Sequence, residues 1–354
     1  VRAVLTGDKA EMDEKTEQLY IQAGIVHVLA ISGLHISIIG MSVYTLLKRL
    51  GVGLKGSACL SGFIVLSYGV MTGFGPSTER AVIMFLVRMG AVYLGCTYDF
   101  LSALSFSALI LFVSRPLSIL QTGVWFSFAA VLSIGVLWPA IEKCIPWQCA
   151  KTRNYKIEHL KKSMGVKTTI REWIERMIRY IGPSAAVTIG TLPLTAFCYG
   201  AVPLVGFFLN LLVLPLMNLF VPMALGAGGV SLLSISMAGF CGGTLHFILQ
   251  INRFLCEKML IMPFSVWRTG VPPSAWLLID YGLMIGFALL ALPEHKWFKH
   301  TDIGKILIKK SWLLMLAGLF ILIPIRKMYP MVAFIDVGQG DGIFMRTANG
   351  TIWL

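Results

Sequence analysis

The sequence predicts an all-α polytopic membrane protein with about 8–10 hydrophobic segments, some of them broken or re-entrant, followed by the start of an α/β domain. Of its 354 residues, 56% are hydrophobic and only 13% are charged, and the mean hydropathy is +0.78. Soluble domains carry about 25% charged residues, so these values indicate a membrane protein. The second domain is predicted by a change after Pro330, where short β patterns replace the long apolar runs.

The chain opens with a polar lead-in segment over 1–24, where the pattern predicts a surface helix at about 13–23. Residues 25–47 form the first predicted span, because at about 1.5 Å per residue they can cross about 30 Å of hydrocarbon. This span begins with an unusual stretch, His27 to His35, in which two histidines, a serine and a glycine interrupt an apolar run.

Further hydrophobic runs follow, and several are interrupted. The GFGP sequence at 73–76 predicts a helix break, and the fourth run is short for a full crossing. Pro193, Pro203, Pro215 and Pro222 predict broken helices, which membranes tolerate where the backbone is shielded from lipid. The runs are 57–74, 77–94, 100–113, 118–141 (with breaks at Gly123 and Gly135), 185–199, 205–225, 230–249, 276–292 and 312–325.

A basic segment at 142–181 separates the two halves of the membrane part. It holds ten Lys and Arg against four Glu, and apolar residues at helical spacing over 170–181 predict an amphipathic helix in the membrane interface. The loops at 48–56, 142–181 and 293–310 together hold 18 of the 30 Lys and Arg residues. If all ten runs cross, the positive-inside rule places these loops in the cytoplasm and both chain ends outside it.

Residues 330–354 predict the first strands of a soluble domain. A three-stranded meander is not stable alone, so we expect this domain to continue beyond Leu354. The predicted strands are 331–337, 343–347 and 351–354, with a glycine-rich turn at 338–342 and an Asn-Gly turn before the last strand.

Three stretches resemble ComEC-type competence proteins, the membrane component of bacterial DNA uptake. They are LTGDKAEMDEKTEQLYIQAGIVHVLAISGLHISIIG, TGFGPSTERAVIM and FIDVGQGDGIFM, with a weaker match in FFLNLLVLPLMNLFVP. The resemblance covers about 7–354. It implies a polytopic competence domain over 25–329 and the opening of an external metallo-β-lactamase-like domain over 330–354. The turn of that domain's motif is carried by Asp336, Gly338, Gln339, Gly340 and Asp341.

The resemblance implies a channel that translocates single-stranded DNA across the cytoplasmic membrane during natural transformation. It also implies an external DNA receptor and a cytoplasmic DNA-translocating ATPase as partners, and we include a homo-oligomer among the expectations. The chain has no nucleotide-binding P-loop, so the energy must come from those partners.

No cofactor or metal site is expected in the portion present, because the H-x-H-x-D-H string of lactamase-like metal sites does not occur before Leu354. The resemblance implies a divalent metal, Zn or Mn, in the continuation. Two alternative functions remain open: a membrane-anchored metal-dependent nuclease with the spans as scaffold, and a transporter of small anionic solutes.

Arginines within the third run are the first candidates for a translocation path. A polyanion crossing hydrocarbon needs positive charge, and intramembrane charges tend to face protein or water. Arg80 and Arg88, with Met84 between them, are predicted to lie along one helix face. The alternative is that Arg80 pairs with a carboxylate such as Glu79 or with another helix.

The polar residues of the first span are the second set of candidates. His27 and His35 are predicted to share a helix face near Ser32, while Gly33 would allow close packing or local unwinding. Three interpretations remain open: hydrogen bonds to other helices, lining of the path, and a metal or proton site. Asn210 and Asn218 are eight residues apart in a later run, where they could line a path or bond across helices.

Overall fold

The chain is mostly helical in the computed structural model, which describes residues 13–25, 27, 33–144, 170–231, 235–263, 265–291, 313, 317–318, 331–336, 341–346 and 352–353. The helices are α1 Glu14–Gln22, α2 Gly33–Arg49, α3 Leu54–Met71, α4 Pro76–Leu94, α5 Phe100–Ser114, α6 Thr122–Leu132, α7 Trp138–Cys144, α8 Ile170–Tyr199, α9 Val205–Ser231, α10 Ile235–Leu260 and α11 Ser274–Ala291. A 3-10 turn at Pro116–Leu120 precedes α6, and a π-helical turn at Ser133–Leu137 joins α6 to α7.

Among the described residues, five helical stretches are long and apolar enough to cross a membrane. This confirms a multi-pass membrane protein in outline, although fewer spans meet the requirement than the ten predicted runs. α4 is not among the five, and it carries Glu79, Arg80 and Arg88. The stretches are Leu54–Met71, Thr122–Cys144, Trp173–Tyr199, Val205–Gly228 and Ser274–Ala291.

The helix of the first predicted span begins later than the sequence suggests. Gly24 adopts a left-handed φ of 73° after α1, and Pro203 packs where its side chain would stand. Ile25 is consequently non-helical, His27 lies in a 3-10 turn, and α2 is described from Gly33. The first predicted span is therefore not α-helical at Ile25 and His27.

The segment predicted as a separate interfacial helix is instead the first part of α8. This helix has 30 residues and continues through Pro183 and Pro193, so the amphipathic segment and the run at 185–199 form one element. Proline leaves a backbone carbonyl without its helical partner, and neighbouring helices can compensate. Here Tyr281 Oη of α11 donates to the Gly190 carbonyl at 3.0 Å, one residue from the carbonyl that Pro193 cannot reach.

The other predicted breaks have mixed outcomes. α9 includes Pro215 and Pro222 without interruption, so breaks predicted there are wrong. Pro203 does separate two helices, and it lies in the short strand β1 (Val202–Pro203), which pairs antiparallel with β2 (Val266–Trp267). The break predicted at Gly135 takes the form of the π-helical turn.

Buried apolar residues form one large cluster and smaller ones beside it. The large cluster joins α1–α4 to α9 and α10, with members such as Ile36, Val65, Phe85 and Phe220. A second cluster joins the π-helical turn and α7 to α11. A third joins α4 to α5 and α6. α4 therefore lies between the large cluster and the α5–α6 part.

The lead-in helix α1 agrees with its prediction and packs on the C-terminal part of α10. Tyr20 is buried in the large cluster with Cys256 of α10. Burial, and then the nearby Cys256 thiol, raises the pKa of Tyr20 to about 12. Burial also raises the pKa of Cys256 to about 12, with a smaller contribution from Glu257. Both groups are therefore neutral at physiological pH.

The C-terminal strands form the predicted antiparallel meander in the order β3-β4-β5. Backbone pairing reaches Asp336↔Asp341, so the second strand includes two residues that the sequence assigned to the turn. The strands are β3 Met331–Asp336, β4 Asp341–Arg346 and β5 Ile352–Trp353. Gly338, Gln339 and Gly340 lie outside the described residues, and the lactamase-like assignment stays a prediction.

Candidate functional site

Arg80 is the centre of the candidate site. Only 5% of its surface is exposed, and among the described Lys, Arg, Asp and Glu residues only Arg80 and Asp280 are buried. The Arg80 guanidinium donates from Nε to Ser127 Oγ of α6 at 3.0 Å, and Nη1 lies 3.7 Å from Met84 Sδ. Its Cζ lies 5.9 Å from the centre of the Phe128 ring, within the range of a cation–π contact.

The start of α4 directs Glu79 and Arg80 to different neighbours. Residues Gly73 and Phe74 have left-handed φ values of 73° and 46°, and Pro76 then begins the helix. Successive helical residues point about 100° apart. As a result the Glu79 carboxylate turns away from Arg80 and faces Arg115.

Glu79 is occupied by neighbours on the other side of α4. Its Oε2 lies 3.9 Å from Arg115 Nη1, and its Oε1 accepts from Ser114 Oγ at 3.3 Å. No carboxylate of the described residues lies within ion-pair distance of Arg80. The pairing of Arg80 with Glu79, one of the alternatives raised by the sequence, is therefore wrong.

Gly33 brings the start of α2 close to Arg80. A side-chain carbon at Gly33 would stand 3.1 Å from Arg80 Nη2 and 3.6 Å from Ala81 Cβ. The absence of a side chain is therefore what lets the guanidinium lie against this backbone. Two stretches singled out in the sequence, one around His35 and one around Arg80, meet at this contact.

The histidines of the same stretch have different surroundings. His35 is buried, with 1% of its surface exposed. His27 is exposed, although many protein atoms surround it. The His27 and His35 rings are close enough to interact electrostatically. Ser32 lies outside the described residues. All three interpretations, helix packing, path lining and a metal or proton site, stay predictions for these residues.

The other candidates do not join this site. Arg88 is exposed and lies near Tyr98, so the two arginines do not form one buried row. Asn218 is exposed, whereas Asn210 is partly buried and its Oδ1 has no hydrogen-bond partner among the described residues. The described residues also contain no group of three or more His, Cys, Asp or Glu side chains that could hold a metal ion.

Sequence reasoning missed Ser127, the closest polar partner of Arg80. A single serine in an apolar run gives no signal by itself, because serine also bonds within its own helix, as Ser133 does to the Ala129 carbonyl at 2.6 Å. Phe128 gives no signal either, because an aromatic residue in an apolar run is typical of a helix in a membrane. Its ring lies 6.2 Å from Phe112 and nearly parallel to it, so α5 and α6 together fix its position beside Arg80.

The arrangement suits the binding of an anion. A guanidinium presents several N–H donors in one plane, which matches the oxygens of a phosphate or carboxylate. Here its described contacts are a hydroxyl, a thioether and an aromatic face, none of which carries negative charge. A buried positive charge of this kind is expensive without compensation, and an anionic ligand would supply it.

Comparison with known proteins identifies the family. The family described as "Competence protein" matches residues 4–294, which include α1 to α11 and the Arg80 site. The chain belongs to the competence protein family. This confirms the resemblance to ComEC-type proteins.

Similar curated proteins occur in several bacteria. The chain is 25% identical over 351 residues to ComE operon protein 3 of Bacillus subtilis (strain 168), covering 98% of this chain and 40% of that protein. It is 24% identical over 375 residues to Competence protein ComA of Neisseria gonorrhoeae, covering 99% and 45%. Recombination protein 2 of Haemophilus influenzae is 24% identical over 309 residues, covering 81% and 33%.

The chain therefore spans less than half of the length of these relatives. No solved structure shows significant similarity to it.

Proposed function

We propose that this chain is the membrane channel that passes single-stranded DNA across the cytoplasmic membrane during natural transformation. The observation that carries the proposal is a buried arginine with neutral partners in the membrane part of a competence-family protein. A phosphodiester chain supplies the negative charge that the described surroundings of Arg80 lack. An external DNA receptor and a cytoplasmic ATPase are the proposed partners that deliver and pull the strand.

In this proposal Arg80 contacts phosphate oxygens as the strand passes. The hydrogen bond from the guanidinium to the Ser127 hydroxyl would be replaced by one to a phosphate oxygen, since a bond between two charged groups is stronger than one to a neutral hydroxyl. Phe128 lies beside the guanidinium and offers a face on which a base could stack. The segment with His27, Ser32, Gly33 and His35 would form the adjoining wall.

The test compares Arg80→Met with Arg80→Lys in a transformable host. Met keeps much of the volume and removes the charge, so we expect uptake of labelled DNA to be lost while the protein still reaches the membrane. Lys keeps the charge and should retain part of the activity. Arg253→Gln is the matched control, because it removes one positive charge from an exposed pair with Glu257, 2.8 Å away, and should leave uptake unchanged.

Thermal unfolding of the purified variants distinguishes this role from a structural one. Removing a buried charge that lacks a counter-ion should leave the melting temperature unchanged or raise it. A structural arginine would instead lower the melting temperature when replaced. Unchanged uptake in well-expressed Arg80→Met, or a loss of uptake explained entirely by lower stability, would refute the proposal.

A transporter of small anionic solutes is the second candidate, because the same guanidinium would also bind a small anion. Liposomes containing the protein separate the two functions. A DNA channel should admit labelled single-stranded DNA when its partners are supplied, and small organic phosphates should not compete strongly. Saturable, partner-independent flux of the small anions, lost in Arg80→Met, would favour the solute transporter.

We further propose that both ends of the chain lie outside the cytoplasm, on the basis of the basic loops. In that orientation the connection between α4 and α5, which contains the exposed Cys96, faces the cytoplasm. With the other six cysteines replaced by Ala, Cys96 should react with a membrane-impermeant maleimide only after cells are permeabilised. Reaction in intact cells would contradict this orientation.

A further inference from the structure

Asp280 is a carboxylate buried within an apolar helix, and the proposed function does not use it. None of its surface is exposed, and neither carboxylate oxygen has a hydrogen-bond partner among the described residues. It lies in α11, one of the five candidate spans. At about 1.5 Å per residue it is about 9 Å from the start of this helix, within the thickness of the hydrocarbon.

The two faces of α11 show that Asp280 points into the protein. Met284, Phe287 and Ala291 are buried and recur with Asp280 at helical spacing, whereas Leu278, Ile285 and Leu289 are exposed. Phe287 and Ala291 pack on α7 and the π-helical turn. The carboxyl group is therefore enclosed by other helices and does not lie at the lipid surface.

Gly318 closes the space in front of the carboxyl group. A side-chain carbon at Gly318 would collide with Asp280 Oδ1, so the acid rests against bare backbone from a segment that is distant in sequence. Glycine leaves room for the carboxyl group and offers it no side-chain hydrogen bond or opposite charge.

Among the described residues around α11, no other titratable group is hydrogen-bonded to Asp280. Tyr281, the next residue, donates its hydroxyl to the Gly190 carbonyl, and Cys198 of α8 is close to Tyr281. The α7 residues Glu142, Lys143 and Cys144 each take part in another interaction. Their helix packs against α11 at Phe287. The described residues near Gly318 (Leu313, Ala317 and Gly318) carry no ionisable group.

We propose that Asp280 is a proton-binding site of the membrane domain, which exchanges a proton when the contact with Gly318 opens. An isolated carboxylate in apolar surroundings is so unfavourable that the group takes up a proton instead. Ionisable residues at this depth commonly belong to ion or proton routes. When the proton leaves, the charged carboxylate can no longer remain against the Gly318 backbone, so proton exchange is linked to separation of these two segments. The proposal does not depend on DNA transport.

Carbodiimide labelling of the protein in membrane vesicles tests the site directly. A carbodiimide takes the proton of a carboxylic acid, the carboxylate oxygen then bonds to its central carbon, and the adduct rearranges to a stable N-acylurea. Dicyclohexylcarbodiimide is apolar and should label Asp280, as read by mass spectrometry of the peptide. A water-soluble carbodiimide should label the exposed Asp99 and leave Asp280 unmodified. Asp280→Asn should lose the apolar label completely and still insert, since an amide resembles the neutral acid.

The pH dependence decides whether the proton exchanges. Labelling of Asp280 should fall progressively from mildly acidic to alkaline pH, and Asp280→Glu should keep a pH-dependent label. Absence of labelling at every pH, or equal labelling by both reagents, would overturn the proposal. Labelling that does not change with pH would also overturn it, because a permanently protonated acid exchanges no proton. Protection by sodium or potassium ions at constant pH would show that the site binds a metal cation instead. The comparison of the two reagents, the pH series and the cation protection use the wild-type protein and do not require any variant to fold.

Discussion

Arg80 and Asp280 are the two buried charged residues of the described chain, and their surroundings differ in kind. Arg80 has a hydroxyl, a sulfur atom and an aromatic ring around its guanidinium. Asp280 has apolar residues and a glycine around its carboxyl group. An arginine stays charged in proteins, so its site must provide electron-rich groups. An aspartic acid can become neutral by binding a proton, so its site needs none.

Both charges also lie opposite a glycine of a different segment, but with different tolerance. A Cβ atom added at Gly33 would lie 3.1 Å from Arg80 Nη2, which is the end of a long flexible side chain. A Cβ atom added at Gly318 would collide with Asp280 Oδ1, and the aspartate side chain is too short to move far. Arg80 can move away from an added methyl group by rotation, whereas Asp280 cannot. The comparison therefore predicts that an added methyl group destabilises the protein more at Gly318 than at Gly33.

The largest effect is expected from Gly318→Ala. The added methyl group would meet the Asp280 carboxyl group and force α11 and the Gly318 segment apart, at a cost of up to about 3 kcal/mol of stability for overpacking. The measurement is thermal unfolding of the purified protein. Gly33→Ala should lower the melting temperature less, because the Arg80 guanidinium can shift.

A second substitution tests the cause of this effect. Asp280→Ala in the Gly318→Ala background should recover stability, because it removes the colliding group. Gly282→Ala is the matched control within α11, since no atom lies within 4 Å of the added carbon, and replacing glycine in a helix stabilises by about 0.5–1 kcal/mol. Equal destabilisation by Gly318→Ala and Gly282→Ala would show that the Asp280 contact is not what limits the site.

A smaller effect is expected from Ser127→Ala on the Arg80 side. Loss of the hydroxyl leaves the Arg80 Nε–H without its described acceptor, at a cost of about 1 kcal/mol, because other groups remain around the guanidinium. Ser67→Ala is the control, as its hydroxyl is exposed and donates to Phe63 of its own helix at 2.9 Å. Unfolding temperatures should fall for Ser127→Ala and stay unchanged for Ser67→Ala. If Ser127→Thr is no more stable than Ser127→Ala, the hydroxyl is not the reason.

The sequence predicted the membrane class and most helices because long apolar runs report burial or lipid contact directly. It also placed the break at 73–76, since a proline after two glycines leaves few other conformations. It failed where tertiary contacts decide the outcome. Proline normally interrupts a helix, yet α8 and α9 continue through four prolines. Long-range contacts such as the hydrogen bond from Tyr281 to Gly190 are not revealed by any local pattern.

The candidate site was predictable in part for the same reason. Arg80 stood out because a charge in an apolar run is costly, and Gly33 because a glycine interrupts the first span. Their contact joins residues 47 positions apart and depends on the packing of α2 against α4. Asp280 was visible in the sequence only as an acid in an apolar run, and its enclosure by Gly318 requires the three-dimensional structure.

The smallest effect concerns Asp99, an exposed aspartate that contrasts with Asp280. Asp99 caps α5, and its Oδ2 accepts from the Ser102 N–H at 2.7 Å. The hydrogen bonds with Ser102 lower the pKa of Asp99 in the folded protein. A lowered folded pKa means that the carboxylate stabilises the fold above its unfolded pKa of about 3.9. This contribution disappears as the pH falls through the folded pKa.

Asp99→Ala should therefore lower the melting temperature slightly at neutral pH, and its difference from the wild type should shrink as the pH falls below about 4. Asp13→Ala is the matched control, because Asp13 occupies the same N-cap position of α1 without a capping hydrogen bond from its side chain. Its replacement should lower the melting temperature less than Asp99→Ala does at neutral pH, because no capping hydrogen bond is lost. If the Asp99→Ala difference persisted unchanged into acid, the ionised carboxylate would not be the stabilising group. Asp99 and Asp280 would then differ in their burial, and the difference in their ionisation would have no demonstrated effect on stability.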